Sequence, residues 1–409
     1  MSEQVNKNQP YGGWGWWSEN SAYRCGDHTM VSYVGNETVV LDYNHVTGVC
    51  TETGTGSIGH DDHNDGAFLE RQDGRIIHFY ARHNVDSLLR WRISTNPCDG
   101  TSWGPQQTLT LPGLITYVQP HMLPDGRIIV FYRLSNLKWQ YAISTDQGNT
   151  FSVGPDVWLG NSSQQPYIIT EQDPTNPFVI CVAGIPANPG QGNQNVYAWQ
   201  VDFSQSPPVY SRPDGSVFAG PATIADVTGS SVVDTVTGSF VERMFEIEHF
   251  NGNMVVLIQR IDVPVEQNQY LVRCWNGTSW DSSSIINAGQ MIDPGFSGRY
   301  SGQATFEHGD PTTIYAGIEG ANGVFNIQKF EASHPCGSWS NTEQCSDATS
   351  GLGAYRPLVT ENAVAGQALD VLWMEGPYDS FSTYTANICT KRLQDELPTK
   401  FYGQEHNCC

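Results

Sequence analysis

The run Asp73-Gly74-Arg75-Ile76-Ile77-His78-Phe79-Tyr80-Ala81-Arg82 returns about 52 residues later as Asp125-Gly126-Arg127-Ile128-Ile129-Val130-Phe131-Tyr132-Arg133. In each copy an Asp-Gly turn launches an apolar strand, and a second strand follows, Leu89–Ser94 in one and Trp139–Ser144 in the other. Weaker copies pair Asn176–Val182 with Val196–Val201, Asn253–Arg260 with Tyr270–Trp275, Thr312–Gly317 with Val324–Phe330, and Ala368–Met374 with Tyr384–Cys389. An N-terminal copy pairs Thr29–Tyr33 with Thr38–Tyr43. A unit of this size is one strand–turn–strand block that cannot bury its apolar face alone. Seven such units predict an all-β, seven-bladed β-propeller of four-stranded antiparallel blades. Its closure hides the sheet edges. A β-sandwich is the competing reading, but sandwiches rarely repeat whole blocks of this kind. The propeller is expected over 1–395, with a C-terminal tail at 396–409.

Turn chemistry agrees. Ser144-Thr145-Asp146-Gln147-Gly148-Asn149-Thr150-Phe151 matches the Asp-box pattern, in which the aspartate caps a hairpin and the aromatic ring plugs between strands. Such boxes speak to fold, not to chemistry.

Charge excludes one class of partner. The chain carries a net −22, whereas phosphate recognition needs clustered Lys and Arg, so nucleic acid is excluded as the main partner. The charge is uneven: residues 1–150 hold 10 of the 20 basic side chains and 15 of the 42 acids. A positive site inside an acidic shell is therefore open to the first third. No apolar run is long enough to span a membrane. The N-terminal residues lack an apolar signal core, and a secreted or virion-associated protein is the expectation. Ten cysteines are too few for a disulfide scaffold. Cys336 and Cys345 could close a small loop, or Cys274, His334, Cys336 and Cys345 could form a structural zinc site.

Three places carry chemistry. Gly59-His60-Asp61-Asp62-His63-Asn64-Asp65 packs two imidazoles and three carboxylates into seven residues, and His83 closes the strand that follows. Tyr117 stands where His63 stands one repeat earlier, and Arg133 in the place of His83. Gln165-Pro166-Tyr167 begins the fourth blade. Together these suit removal of a proton α to a carboxylate, which needs a cation for the carboxylate, a base for the proton and an acid for the leaving oxygen. Imidazole is the usual base near neutrality. A tyrosine serves if nearby Arg133 lowers its pKa. The bland alternatives are a loop histidine satisfied by Asp61 or Asp62, a His60–Asp62–His63 metal site, a strand cap at His83, a core Tyr117 and interblade ion pairs at Arg82 and Arg133.

The string from the paired aspartates through Asp73-Gly74-Arg75 to Phe79-Tyr80-Ala81-Arg82-His83 resembles the BNR-4 repeat family, which includes the ulvan lyases. Gly12-Gly13-Trp14-Gly15-Trp16-Trp17, Asn195-Val196-Tyr197, Tyr355-Arg356-Pro357 and Leu372-Trp373-Met374-Glu375-Gly376-Pro377-Tyr378 extend the likeness along the chain. The resemblance implies a polysaccharide lyase that cleaves a uronic-acid-containing glycan by β-elimination without a cofactor. It places the catalytic histidine on His63, a second on His83, the catalytic tyrosine on Tyr117 and the carboxylate-neutralising arginine on Arg133, with Asn64, Tyr167 and Arg82 contacting substrate. The sequence departs from the family at Gly184-Ile185-Pro186, where relatives often carry His-Pro. A non-catalytic glycan-binding or attachment propeller is the alternative, and a sialidase-like hydrolase a weaker one, because no Arg-Ile-Pro motif occurs.

Overall fold

The computed structural model describes residues 3–6, 8–9, 11–15, 17–56, 59–159, 165–188, 194–236, 240–262, 267–292, 300–346, 351–363 and 366–391. The tail expected at 396–409 lies outside them. Seven antiparallel sheets form the blades of a β-propeller. From the innermost strand outward, blade one is Ala22–Cys25, His28–Val34, Thr38–Asn44 and Val49–Gly56. The inner strands of blades two to seven are Gly66–Glu70, Ile115–Met122, Tyr167–Gln172, Phe240–Phe250, Ala304–Glu307 and Ala354–Val359. Blade seven takes its outermost strand, Glu3–Gln4, from the other end of the chain, where it pairs with Asn387–Thr390. That pairing closes the ring and rules out the sandwich.

Local chemistry explains the repeat. Asp73 and Asp125 each accept the backbone N–H two residues on, at 3.1 Å, and Gly74 and Gly126 take φ of 78° and 84°. An aspartate-capped turn with a left-handed glycine reverses the chain tightly, so the next strand starts in register. In the Asp-box, Asp146 accepts from Thr150 N and Thr150 Oγ1 at 2.9 and 2.6 Å. Phe151 then sits edge-on to Phe79 and Trp91 of the neighbouring blade. A Cβ on Gly148 would meet Ile77 Cδ1 at 2.4 Å, so the turn also needs the missing side chain to let the blades close.

Two expectations about the cysteines fail. Cys274 is disulfide-bonded to Cys336, tying blade five to blade six, which removes both thiolates from the zinc set and rules out a Cys336–Cys345 loop. His334 instead accepts a hydrogen bond from Cys336 N and meets Phe250 edge-on. A second disulfide, Cys25–Cys98, joins blades one and two. In the last blade, Tyr384 belongs to a separate small hairpin with Tyr378, and the strand beside Val371–Glu375 begins at Asn387. Blades four and five each add short strands beyond the four of the repeat.

Candidate active site

The inner strands start at one end of the propeller axis, and several start irregularly. A bulge interrupts pairing between Thr116 and Gln119 in blade three, Met244 and Glu246 in blade five, and Tyr355 and Leu358 in blade seven. Tyr117, Gln303 and Arg356 take φ of 59°, 63° and 54°. A left-handed conformation costs a residue with a Cβ roughly 1–2 kcal/mol. Bulges re-aim side chains at sheet rims, and here they turn a phenol and a guanidinium toward the axis.

His63 sits in a one-turn 3-10 helix, Asp62–Asn64, just ahead of the second blade, and not on a strand. It is therefore not in strict register with Tyr117, which lies within its strand. By the 52-residue offset Arg133 corresponds to Ala81, two positions before His83. The cluster is nevertheless compact. Asp61 bridges the two imidazoles: Oδ1 lies 2.8 Å from His63 Nδ1 and Oδ2 lies 2.8 Å from His83 Nδ1. The rings stack at 4.2 Å with 14° between their planes. Asp62 Oδ1 adds a second carboxylate 2.8 Å from His63 Nδ1. Asp62 is itself held by Arg356 at 2.6 Å and by the Tyr378 hydroxyl at 2.7 Å.

These contacts push the two histidines apart. Burial works against a charged His63, but Asp62 and the hydrogen bonds of Asp61 and Asp62 outweigh it and raise its pKa to about 10. Burial and the charge of His63 lower the pKa of His83, against the pull of Asp61. Burial also opposes the charge on Asp61, yet its two imidazole hydrogen bonds hold it below the usual carboxylate range. At neutral pH His63 is thus an imidazolium. His83 is neutral, its Nδ1–H donated to Asp61 and Nε2 left as acceptor.

Arg133 is 2% exposed and lies between two phenol rings, its guanidinium carbon 4.7 Å from the centres of both Tyr117 and Tyr167. Its Nε and Nη1 have no hydrogen-bond partner among the described residues. A buried guanidinium without an anion costs several kcal/mol, which an incoming carboxylate would offset. It opens on a cleft of about 360 Å³ lined by His63, His83, Asn84, Arg133, Ser135, Gln165, Tyr167, Asn188, Tyr300 and Phe381.

His63, His83, Arg133 and Tyr167 thus share one cleft. Tyr117 lies behind its wall, 1% exposed, with its hydroxyl unpartnered among the described residues. Burial raises its pKa well above the usual phenol value, and the opposing pull of Arg133 does not win, contrary to the sequence expectation. Asn64 holds the loop: its Oδ1 accepts His83 N at 2.7 Å and its Nδ2 donates to Gly59 O at 3.1 Å. Arg82 faces Asp86 at 3.6 Å and does not line the cleft. His60 packs between Tyr11 and Tyr384, so the alternative His60–Asp62–His63 metal set does not form. At the cleft, Asp61, His63 and His83 are close enough together to hold an ion. Sequence reasoning missed Tyr300, Arg243 and Arg356. Arg243 and Arg356 approach the Tyr300 ring at 5.9 and 5.4 Å. The signal for Arg356 was present in Tyr355-Arg356-Pro357, whose pairing the bulge interrupts.

The structure resembles an ulvan lyase described as a new polysaccharide lyase family, PL25, with a TM-score of 0.71 at 17% identity over 95% of both chains. The same values hold for that lyase bound to -[GlcA(1-4)Rha3S]-. The polysaccharide lyase Uly1 matches at 0.58 and 12% identity, over 96% of this chain and 100% of that one. At such identities the likeness speaks for the fold alone. No curated protein matches by sequence. The model of the BNR repeat-containing family matches residues 15–288, more than half of the chain, and the protein belongs to that family.

Proposed function

We propose that the protein is a polysaccharide lyase that cleaves a uronic-acid-containing glycan by β-elimination. The observation that carries this reading is Arg133, a buried cation with no anion partner among the described residues, opening on the same cleft as one charged and one neutral imidazole. Paired groups with divergent pKa values mark acid–base assignments. Arg133 and the His63 imidazolium bind the sugar carboxylate and stabilise the enolate-like intermediate. His83 Nε2 removes the proton on the carbon α to the carboxylate. The electron pair left on that carbon forms the double bond to its neighbour, and the bond from the neighbour to the glycosidic oxygen breaks. That oxygen takes a proton from a phenol of the cleft, Tyr167 beside Arg133 or Tyr300. Burial keeps Tyr117 and Tyr300 protonated, as an acid requires. Relative to the sequence expectation, the base moves from His63 to His83. Solved lyases of the same architecture, one of them bound to -[GlcA(1-4)Rha3S]-, support the substrate class.

A non-catalytic glycan-binding propeller is the second reading. It is favoured by Ile185, fully buried and paired with Tyr167 where relatives often carry an imidazole. The test is incubation with ulvan and a panel of other uronate polymers, following ultraviolet absorbance of the unsaturated product alongside binding. Product from at least one polymer is expected. Binding without product across the panel would establish the second reading instead.

A further inference from the structure

Beyond the cleft, the axis holds a second constellation that the lyase reading does not use. Glu171 lies four residues beyond Tyr167 on the same inner strand, about 13 Å along it. Glu246 and Glu248 on the blade-five inner strand, Glu361 just after the blade-seven inner strand and Glu19 before blade one converge with it around His308. Ligand atoms of Glu246, Glu248 and His308 all lie within 4.8 Å of one another. Next to them is a cavity of about 50 Å³, lined among others by Glu19, Glu246, Thr305, His308, Gln303 and Trp14. A water needs about 10–15 Å³ by the same measure, so an ion with a water or two fits.

An acidic cluster alone says little, but a second observation points into this cavity. Gln303 is 8% exposed, and its Oε1 is a buried acceptor with no partner among the described residues. An acceptor stranded beside carboxylates calls for a cation or a donor, because burying it unsatisfied costs about 1–3 kcal/mol. The surrounding groups are already oriented. Glu246 Oε2 accepts from Thr305 Oγ1 at 2.9 Å and from Phe306 N at 2.6 Å, which fixes the carboxylate. Glu248 Oε1 accepts from Gly309 N at 3.2 Å. His308 Nε2 donates to Val359 O at 3.2 Å, the backbone contact that commonly orients a ligating imidazole. Its Nδ1 faces Glu361 at 3.1 Å and Glu248 at 3.8 Å.

We propose that this axial cavity binds one hard divalent cation, of the Ca²⁺ or Mn²⁺ class, through Glu246, Glu248, Gln303 Oε1 and His308 Nδ1. The donor set is mostly oxygen with one imidazole and no thiolate, which suits these ions better than a structural zinc. The ion would staple blades five and six across the axis.

The test uses the full chain, stripped with chelator, and titrates Ca²⁺ and Mn²⁺ separately by calorimetry. One equivalent of at least one ion should bind, with a rise in Tm. Glu248→Gln should weaken binding at least tenfold, and so should Gln303→Leu. Should either variant fail to fold, the wild-type chain still decides the matter. Paramagnetic Mn²⁺ at one equivalent should broaden the indole N–H resonance of Trp14, which lines the cavity, before other tryptophans. No heat with either ion to millimolar concentration, binding unchanged in both folded variants, or a Trp14 signal untouched by bound Mn²⁺ would each overturn the proposal.

Discussion

The two ends of the propeller axis carry different charged groups. At the cleft end stand Arg133, Arg243, Arg356 and the His63 imidazolium. Toward the other end the strands present Glu171, Glu246 and Glu248, joined by Glu19 and Glu361. Blade five shows the switch on one strand, with Arg243 before its bulge and Glu246 after it. This polarity would let a chain with net charge −22 receive a polyanion: the glutamate cluster is remote, whereas the cleft holds more cations than its Asp61 and Asp62 carboxylates balance, where low dielectric strengthens them. The most direct way to break the comparison is to remove one charge from each end. Arg133→Met should cut turnover about 10²–10³-fold, as loss of a donor to a developing oxyanion does. Glu171→Gln should leave turnover on a uronate polymer near that of wild type. Steady-state kinetics on both, with circular dichroism to verify folding, checks the pair; equal losses would refute the division.

The imidazole pair gives a sharper division within the cleft end. His83→Asn should lower kcat about 10²–10⁴-fold by removing a general base. His63→Gln should raise KM and lower kcat less, because it deletes a carboxylate-binding cation. The pH profile carries the signs. The His83 pKa is depressed, so activity should rise as pH climbs through a value below 6.5, where the base becomes neutral. The His63 pKa is raised to about 10, so activity should fall near that pH as the cation is lost. The stability from the raised pKa of His63 is fully present below its unfolded value of about 6.5 and disappears as pH rises through the folded one. A profile with its acid limb well above neutrality would return the base role to His63.

Ionic strength probes the same polarity with a smaller effect. Steering of a polyanion weakens beyond a Debye length of about 10 Å at 0.1 M salt, so kcat/KM should drop roughly tenfold as salt is raised. A methyl-esterified uronate polymer should bind weakly and with little salt dependence. Equal salt dependence for the esterified and free polymers would show that the cleft charge plays no part in capture.

Much of this was legible in the residues before any coordinates. All seven strand pairs read from the repeat fall within or beside blade strands, because aspartate–glycine turns and alternating apolar runs act locally. That His63, His83, Arg133 and Tyr167 share one cleft was legible because chemistry-bearing side chains flank those repeat strands. What sequence hid was non-local. That Tyr117 is buried, that Arg356 reaches Asp62 and that Cys274 finds Cys336 depend on bulges and on blades 62 to 294 residues apart in sequence meeting around a closed ring. Alternation in one strand does not encode a bulge, and the spacing of cysteines does not encode which blades are neighbours.

The smallest effect belongs to the Asp-box, which should matter for neither end of the axis. Asp146 accepts from Thr150 N, Thr150 Oγ1 and Ser144 Oγ at 2.6–2.9 Å on the outer half of blade three. These contacts hold its carboxyl below the usual range, so their stabilisation is present above about pH 4 and fades as pH falls through the lower folded value. The site is largely open to water, and such hydrogen bonds net about 1 kcal/mol. Asp146→Ala should therefore lower Tm by a few degrees near neutrality, with the gap to wild type closing in acid. Turnover below the transition should stay unchanged, since the box touches none of the imidazoles or guanidiniums of the cleft. A loss of activity at full folding would mean that the outer turns set the position of the inner strands, and that the cleft is less independent of the blade rim than its contacts imply.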